Sequence, residues 1–157
     1  IHIQGAMGSD AQIGRTNALQ AEFDTGNMNM VVQQTATWDE AEAKKIVEAV
    51  INSGDKFNVI YAENDGMAKG AVAALDEAGI THGVDGDVII MGFDCNTWAL
   101  QELLDGNWNY DGQCSPFQAS VIDDMIKNGV TQKKVISDEK GFDATTITQA
   151  DIDQYGL

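Results

Sequence analysis

Apolar positions along the chain switch between two spacings. Short apolar runs, IHIQGA, MNMVVQQTA, FNVIYA and DVIIMGF, read as strands, and NWNYDGQ as a weaker fifth. DVIIMGF is apolar almost throughout, which predicts a strand buried on both faces. Between the runs, apolar residues fall at helical spacing. Ala43, Ile46, Val47, Val50 and Ile51 share one face, and Met67, Ala71, Val72, Leu75 and Ala78 another. A shorter helix passes through Leu100, Leu103 and Leu104.

The punctuation agrees. Ser9 with Gln12, and Asp39 with Glu42, are spaced as capping boxes. Gly26, Gly54, Gly79, Gly106 and Gly129 follow the helical stretches. Ser115, Pro116 and Gln118 predict a helix start, running to Asn128. Gly70 falls inside a helix at a cost of about 1 kcal/mol, which implies close packing on a neighbour. Beyond Gly129 the pattern predicts short extended pieces at Lys134–Ser137 and Thr145–Ile147, then a last helical turn from Thr148 with Asp151 in box position. SDEKGFDA, residues 137 to 144, reads as a surface loop.

Alternating strands and helices predict an α/β fold, a doubly wound, mostly parallel sheet with helices on both faces. The 157 residues suffice for one domain, or one lobe of something larger. IHIQGA starts mid-strand with no basic leader, so the chain reads as having lost an upstream portion.

Charge narrows the partners. Nine basic against twenty-five acidic residues give a net charge of -16, which argues against a nucleic-acid partner. No apolar run approaches the roughly 20 residues of a membrane span. His2 and His82 have no cysteine or carboxylate at ligand spacing, so neither a metal nor a cofactor is expected. Two cysteines are too few for a disulfide framework; a Cys95–Cys114 bridge and two free thiols both stay open.

Open α/β sheets bind ligands at the carboxyl ends of their strands. Those ends carry Ser9, Asp10 and Arg15; then Trp38 and Asp39; then Glu63, Asn64 and Asp65; then Asp94, Cys95 and Asn96; then Gln113 and Cys114. No nucleophile elbow occurs, and GAMGSD fits neither phosphate-binding glycine pattern. Asp, Asn, Arg and Gln groups suit a neutral polyol, since each can bond two hydroxyls, and an indole can pack on a sugar's C–H face. Within ENDG, Asp65 is expected to cap the helix and Glu63 only to flank its neighbours.

YAENDGMAKGAVAALDEAGI followed by VIIMGFD resembles the second lobe of the periplasmic sugar-binding proteins of ABC transporters. The likeness runs from Ile3 to about Ile126. It implies that Arg15, Asn64, Asp94 and Gln113 bind sugar hydroxyls, that Trp38 stacks on the ring, and that Asp10 also reaches the sugar. Cys95 stands where the family usually has glycine. The resemblance further implies residues 1–114 as the sugar-binding lobe, 115–136 as a segment returning to a first lobe, and 137–157 as a crossover and tail. The expected function is capture of a monosaccharide by a hinged, periplasmic or extracellular membrane-associated protein that delivers it to an ABC permease, with no catalysis. Two alternatives stand beside it: the effector-binding core of a LacI-type repressor, and an α/β enzyme using a carboxylate pair among Asp10, Asp39 and Asp94.

Overall fold

The computed structural model describes residues 1–116, 118–129 and 139–157. In chain order the elements are β1 (His2–Gln4), α1 (Asp10–Phe23), β2 (Gln33–Thr35), α2 (Glu40–Ser53), β3 (Val59–Ala62), α3 (Asp65–Glu77), β4 (Ile89–Asp94), α4 (Thr97–Leu104), β5 (Tyr110–Gln113), α5 (Ala119–Asn128), β6 (Gly141–Asp143) and α6 (Gln149–Tyr155). The strands form one sheet in the order β2-β1-β3-β4-β5-β6. Every pairing is parallel except β5 with β6. This is the expected mostly parallel α/β architecture. Strand order reverses between β1 and β3, where β2 turns outward and β4 the other way.

One face of the sheet carries the core. Ile3, Ile60, Ala62 and Ile90 are fully buried there. Against it α2 lays Ala43, Ile46, Val47 and Val50, and α3 lays Met67, Ala68, Ala71, Ala74 and Leu75. Each large apolar side chain so buried contributes roughly 1.5–3 kcal/mol. The two helices touch closely: a Cβ on Gly70 would sit 2.1 Å from the Glu40 carbonyl oxygen. That contact explains the glycine inside α3. Helix α1 covers the opposite face, where the Tyr61 hydroxyl donates to the Arg15 carbonyl at 3.0 Å.

Several local expectations give way to context. MNMVVQQTA supplies only three residues of strand, because its partner β1 is itself three residues long. The apolar fourth run is not buried on both faces: Ile90 and Gly92 are buried, while Ile89 is exposed and Met91 and Phe93 half-buried. The α2–α3 layer covers one side of β4 only. Helix α5 begins at Ala119 rather than at Ser115–Pro116. The Ser115 amide donates to the Glu139 carboxylate, and the Gln118 amide side chain donates to the Ser115 carbonyl, so these residues form the lead-in from β5.

The charged stretch read as a loop contains strand β6. It forms because β5 has an open edge and Phe142 can bury its ring beside it. The piece expected to be extended at Thr145–Ile147 is instead a turn, closed by Asp143 Oδ1, which accepts from the Thr145 amide at 2.9 Å. The extended piece expected at Lys134–Ser137 lies outside the described residues. Helix α6 has a complete capping box between Thr148 and Asp151. The two earlier boxes are half-formed. Ser9 and Asp39 accept from the amides three residues on, but Gln12 turns to the Gly8 amide and Glu42 to Lys45.

Candidate functional site

The carboxyl ends of β1, β3 and β4 converge on Arg15. The residue lies one turn into α1, and its side chain crosses the sheet edge. Nη2 donates to Asp94 Oδ1 at 2.9 Å, and Nη1 donates to the Glu63 carbonyl. The guanidinium carbon stands 4.9 Å from the Phe93 ring centroid and 5.9 Å from that of Trp38. Such stacking orients a planar cation and excludes water from one side of it. Arg15 is therefore a braced donor. Burial raises the Asp94 carboxyl above its ordinary range, and Arg15 opposes that rise.

Backbone strain gathers at the two loops beside this pair. Thr37 and Trp38 have φ of 52° and 70°, and Asp94 and Cys95 have φ of 121° and 60°. Non-glycine residues occupy this region rarely, at about 1–3 kcal/mol each, and cluster at binding sites. The strain at Trp38 aims its indole at the end of β1. A Cβ on Gly5 would lie 2.0 Å from Trp38 Cη2, so the ring rests on the bare glycine backbone.

The Glu63-Asn64-Asp65 triplet redistributes the expected roles. Asn64, not Asp65, is the N-cap of α3: its Oδ1 accepts from the Met67 amide at 2.8 Å. Its Nδ2 has no hydrogen-bond partner among the described residues, so capping leaves that amide group available. Asp65 is fully buried, and its Oδ2 accepts from the Asn96 backbone amide at 2.9 Å and from Asn96 Nδ2 at 3.0 Å.

Glu63 does far more than flank its neighbours. It is fully buried, and Oε1 meets His2 Nε2 at 2.9 Å and accepts from the Thr16 hydroxyl at 2.5 Å. Oε2 accepts from the Gly5 amide at 2.7 Å. This carboxylate links β1, β3 and α1 beneath Arg15. The signal was present in the sequence: Glu63 keeps the alternation of Val59 and Tyr61, which points it at the face α1 covers.

The remaining candidates divide. Gln113 pairs in register with Asp94, and its Oε1 accepts from the Lys140 amide at 3.3 Å. Asp10 is exposed in the first turn of α1, and no hydrogen bond joins it to Arg15 or Asp94. Cys95 is buried and Cys114 exposed, and both are free thiols. Cys114 faces Arg15, which partly offsets the upward push of burial on its thiol. Trp98 and Trp108 pack edge to face at 5.8 Å. A cavity of about 340 Å³ opens at the amino ends of β1 and β3 beside Phe23, Met30 and Phe57, at the opposite end of the strands from Arg15. Among the described residues no cluster of three or more metal-ligating side chains occurs.

Residues 1–128 match the family model described as the periplasmic binding protein domain. The chain belongs to that family. Among relatives of this periplasmic binding protein domain, the fructose import binding protein of Bifidobacterium longum is 30% identical over 130 residues, spanning 79% of this chain and 38% of that protein. The ribose import binding protein of Escherichia coli is 28% identical over 141 residues, spanning 89% and 44%. The arabinose transporter's periplasmic binding protein from Shewanella, solved with L-arabinofuranose, superposes with a TM-score of 0.82 at 28% identity, over 98% of this chain and 53% of that one. A solute-binding protein from Bacillus halodurans, solved with myo-inositol, gives 0.78 at 25% identity, over 98% and 52%. The chain thus spans about half or less of the length of these proteins.

Proposed function

We propose that this domain is the sugar-binding lobe of an extracytoplasmic solute-binding protein that captures a monosaccharide and delivers it to an ABC permease. The observation that carries the reading is the braced Arg15–Asp94 pair at the convergence of three strand ends, with Trp38 and the uncommitted Asn64 amide beside it. Arg15 and Asn64 offer donors and Asp94 an acceptor, a set that matches vicinal hydroxyls. Trp38 supplies an apolar surface for the sugar's C–H face. Gln113 would contribute from β5 if its side chain turns away from Lys140. Asp10 is the weakest of the six candidates, since nothing orients it.

Residues 1–114 together with β6 and α6, which complete the same sheet and core, would form this lobe, and 115–136 would return toward a first lobe. Closure of two lobes would desolvate the sugar and present the permease with a distinct closed surface. The matched relatives are import binding proteins, which favours transport over a repressor core. Family members are binding proteins rather than enzymes, and the site holds an ion pair where a glycosidase would need a carboxylate pair. No helix among the described residues is long and apolar enough to cross a membrane.

Calorimetric titration of D-fructose, D-ribose, L-arabinose and myo-inositol into the full-length protein tests the reading. One sugar should bind tightly, and Asp94→Ala should abolish it. Absence of heat with every sugar would overturn it.

A further inference from the structure

Two buried carboxyls lie under the Asp94–Cys95 turn, and neither takes part in the ion pair above. Asp65 and Asp111 are both fully buried. Asp111 Oδ1 accepts from the Cys95 amide at 3.4 Å, and Asp65 Oδ2 accepts from the Asn96 amide at 2.9 Å. The other two oxygens, Asp65 Oδ1 and Asp111 Oδ2, are buried with no donor among the described residues. Room for them comes from Gly92, which pairs with Asp111 across the sheet. A Cβ there would lie 2.8 Å from Asp65 Oδ1 and 2.9 Å from the Trp108 ring.

Two ionised carboxylates in this position would leave both oxygens anionic and desolvated, with each carboxyl repelling the other. One proton between them satisfies both atoms at once. The charged and titratable groups that act on the pair are Asp94 and Cys95 from the turn above and Tyr110 from β5, and none of them is a cation. The turn itself holds two left-handed non-glycine residues, and such strain persists only where surrounding contacts over-determine it. From outside, the Leu157 amide donates to the Cys95 carbonyl at 3.0 Å, and the Thr97 amide donates to the Leu157 carbonyl at 3.1 Å. From inside, the side-chain acceptors on the Cys95 and Asn96 amides among the described residues are the two aspartates.

We propose that Asp65 and Asp111 are a positioning pair, sharing one proton, that holds the Asp94–Cys95 turn and so sets the Asp94 carboxylate for its ligand. The ligand half of this statement rests on the sugar-binding reading above; the shared proton and the held turn do not. Asp111→Asn imitates the protonated partner, donating to Asp65 and accepting from Cys95. Asp111→Val removes both bonds at similar volume.

Three measurements on the full-length protein decide the matter. Carboxyl-carbon NMR of the sugar-free protein should show one aspartate protonated at pH 7, and Asp111→Asn should remove that signal. Hydrogen exchange at the Cys95 and Asn96 amides should be slow in the wild type and in Asp111→Asn, and at least tenfold faster in Asp111→Val. Calorimetry across the same sugar panel should show wild-type affinity falling tenfold or more between pH 7 and pH 10, with Asp111→Asn unchanged. Ordinary titration of both carboxyls, or slow exchange retained in Asp111→Val, would overturn the proposal. If no sugar binds the wild type, the function reading fails while the first two measurements still decide the pair.

Discussion

Arg15 Nη2 stands 2.9 Å from Asp94 Oδ1, joining residues 79 positions apart in sequence. Neither side chain reaches this geometry alone. Arg15 is fixed by the Glu63 carbonyl and the Phe93 ring, and Asp94 by a left-handed turn.

Arg15→Ala should weaken sugar binding by about 100-fold, since a charge-assisted hydrogen bond is worth roughly 1.5–3 kcal/mol and Arg15 both donates to ligand and orients Asp94. Calorimetry against the best-binding sugar measures this. Arg15→Lys should rescue little, because an ammonium cannot reproduce the planar fork.

Asn64→Asp separates the two roles of that residue. The carboxylate still caps α3, so the thermal midpoint should change little, while the loss of Nδ2 should cut sugar affinity tenfold or more. Asn64→Ala should lose affinity and also about 1 kcal/mol of stability. Paired melting curves and titrations distinguish the outcomes.

Glu63→Ala should cost about 2–4 kcal/mol, because His2, Thr16 and the Gly5 amide would lose a buried acceptor together. Urea unfolding reads the difference. An unchanged midpoint would contradict the role assigned to this carboxylate.

Gly70→Ala sets helix propensity against packing. Propensity favours alanine by about 1 kcal/mol, but the new Cβ meets a backbone carbonyl that has no freedom to retreat. Net destabilisation of about 1–3 kcal/mol is expected by thermal melting.

Stability should also depend on Asp111. Burial and the neighbouring Asp65 push its carboxyl up to about 9, against about 4 in the unfolded chain. Between those values the folded state binds the extra proton, so this contribution is complete below about pH 4 and lost as pH rises through about 9. Asp111→Asn should flatten the fall in thermal midpoint across that window.

The amino-acid sequence by itself determined the order of strands and helices through α5, the capped starts at Ser9, Asp39 and Thr148, and the apolar faces of α2 and α3. These depend on periodicity and on hydrogen bonds spanning three or four residues. It also placed Arg15, Trp38, Asn64 and Asp94 at strand ends, because parallel sheets put those ends on one edge. Only the tertiary structure decided what each polar residue meets there. Glu63 became a buried hub because His2, Gly5 and Thr16 arrive from β1 and α1. Asp65 left the capping role to Asn64 because Asn96 and Asp111 lie beneath it. A strand emerged from charged sequence at Gly141–Asp143 because β5 had an unpaired edge. Burial and partners are properties of the folded neighbourhood, and a local pattern of residues does not encode which distant chain segment will supply them.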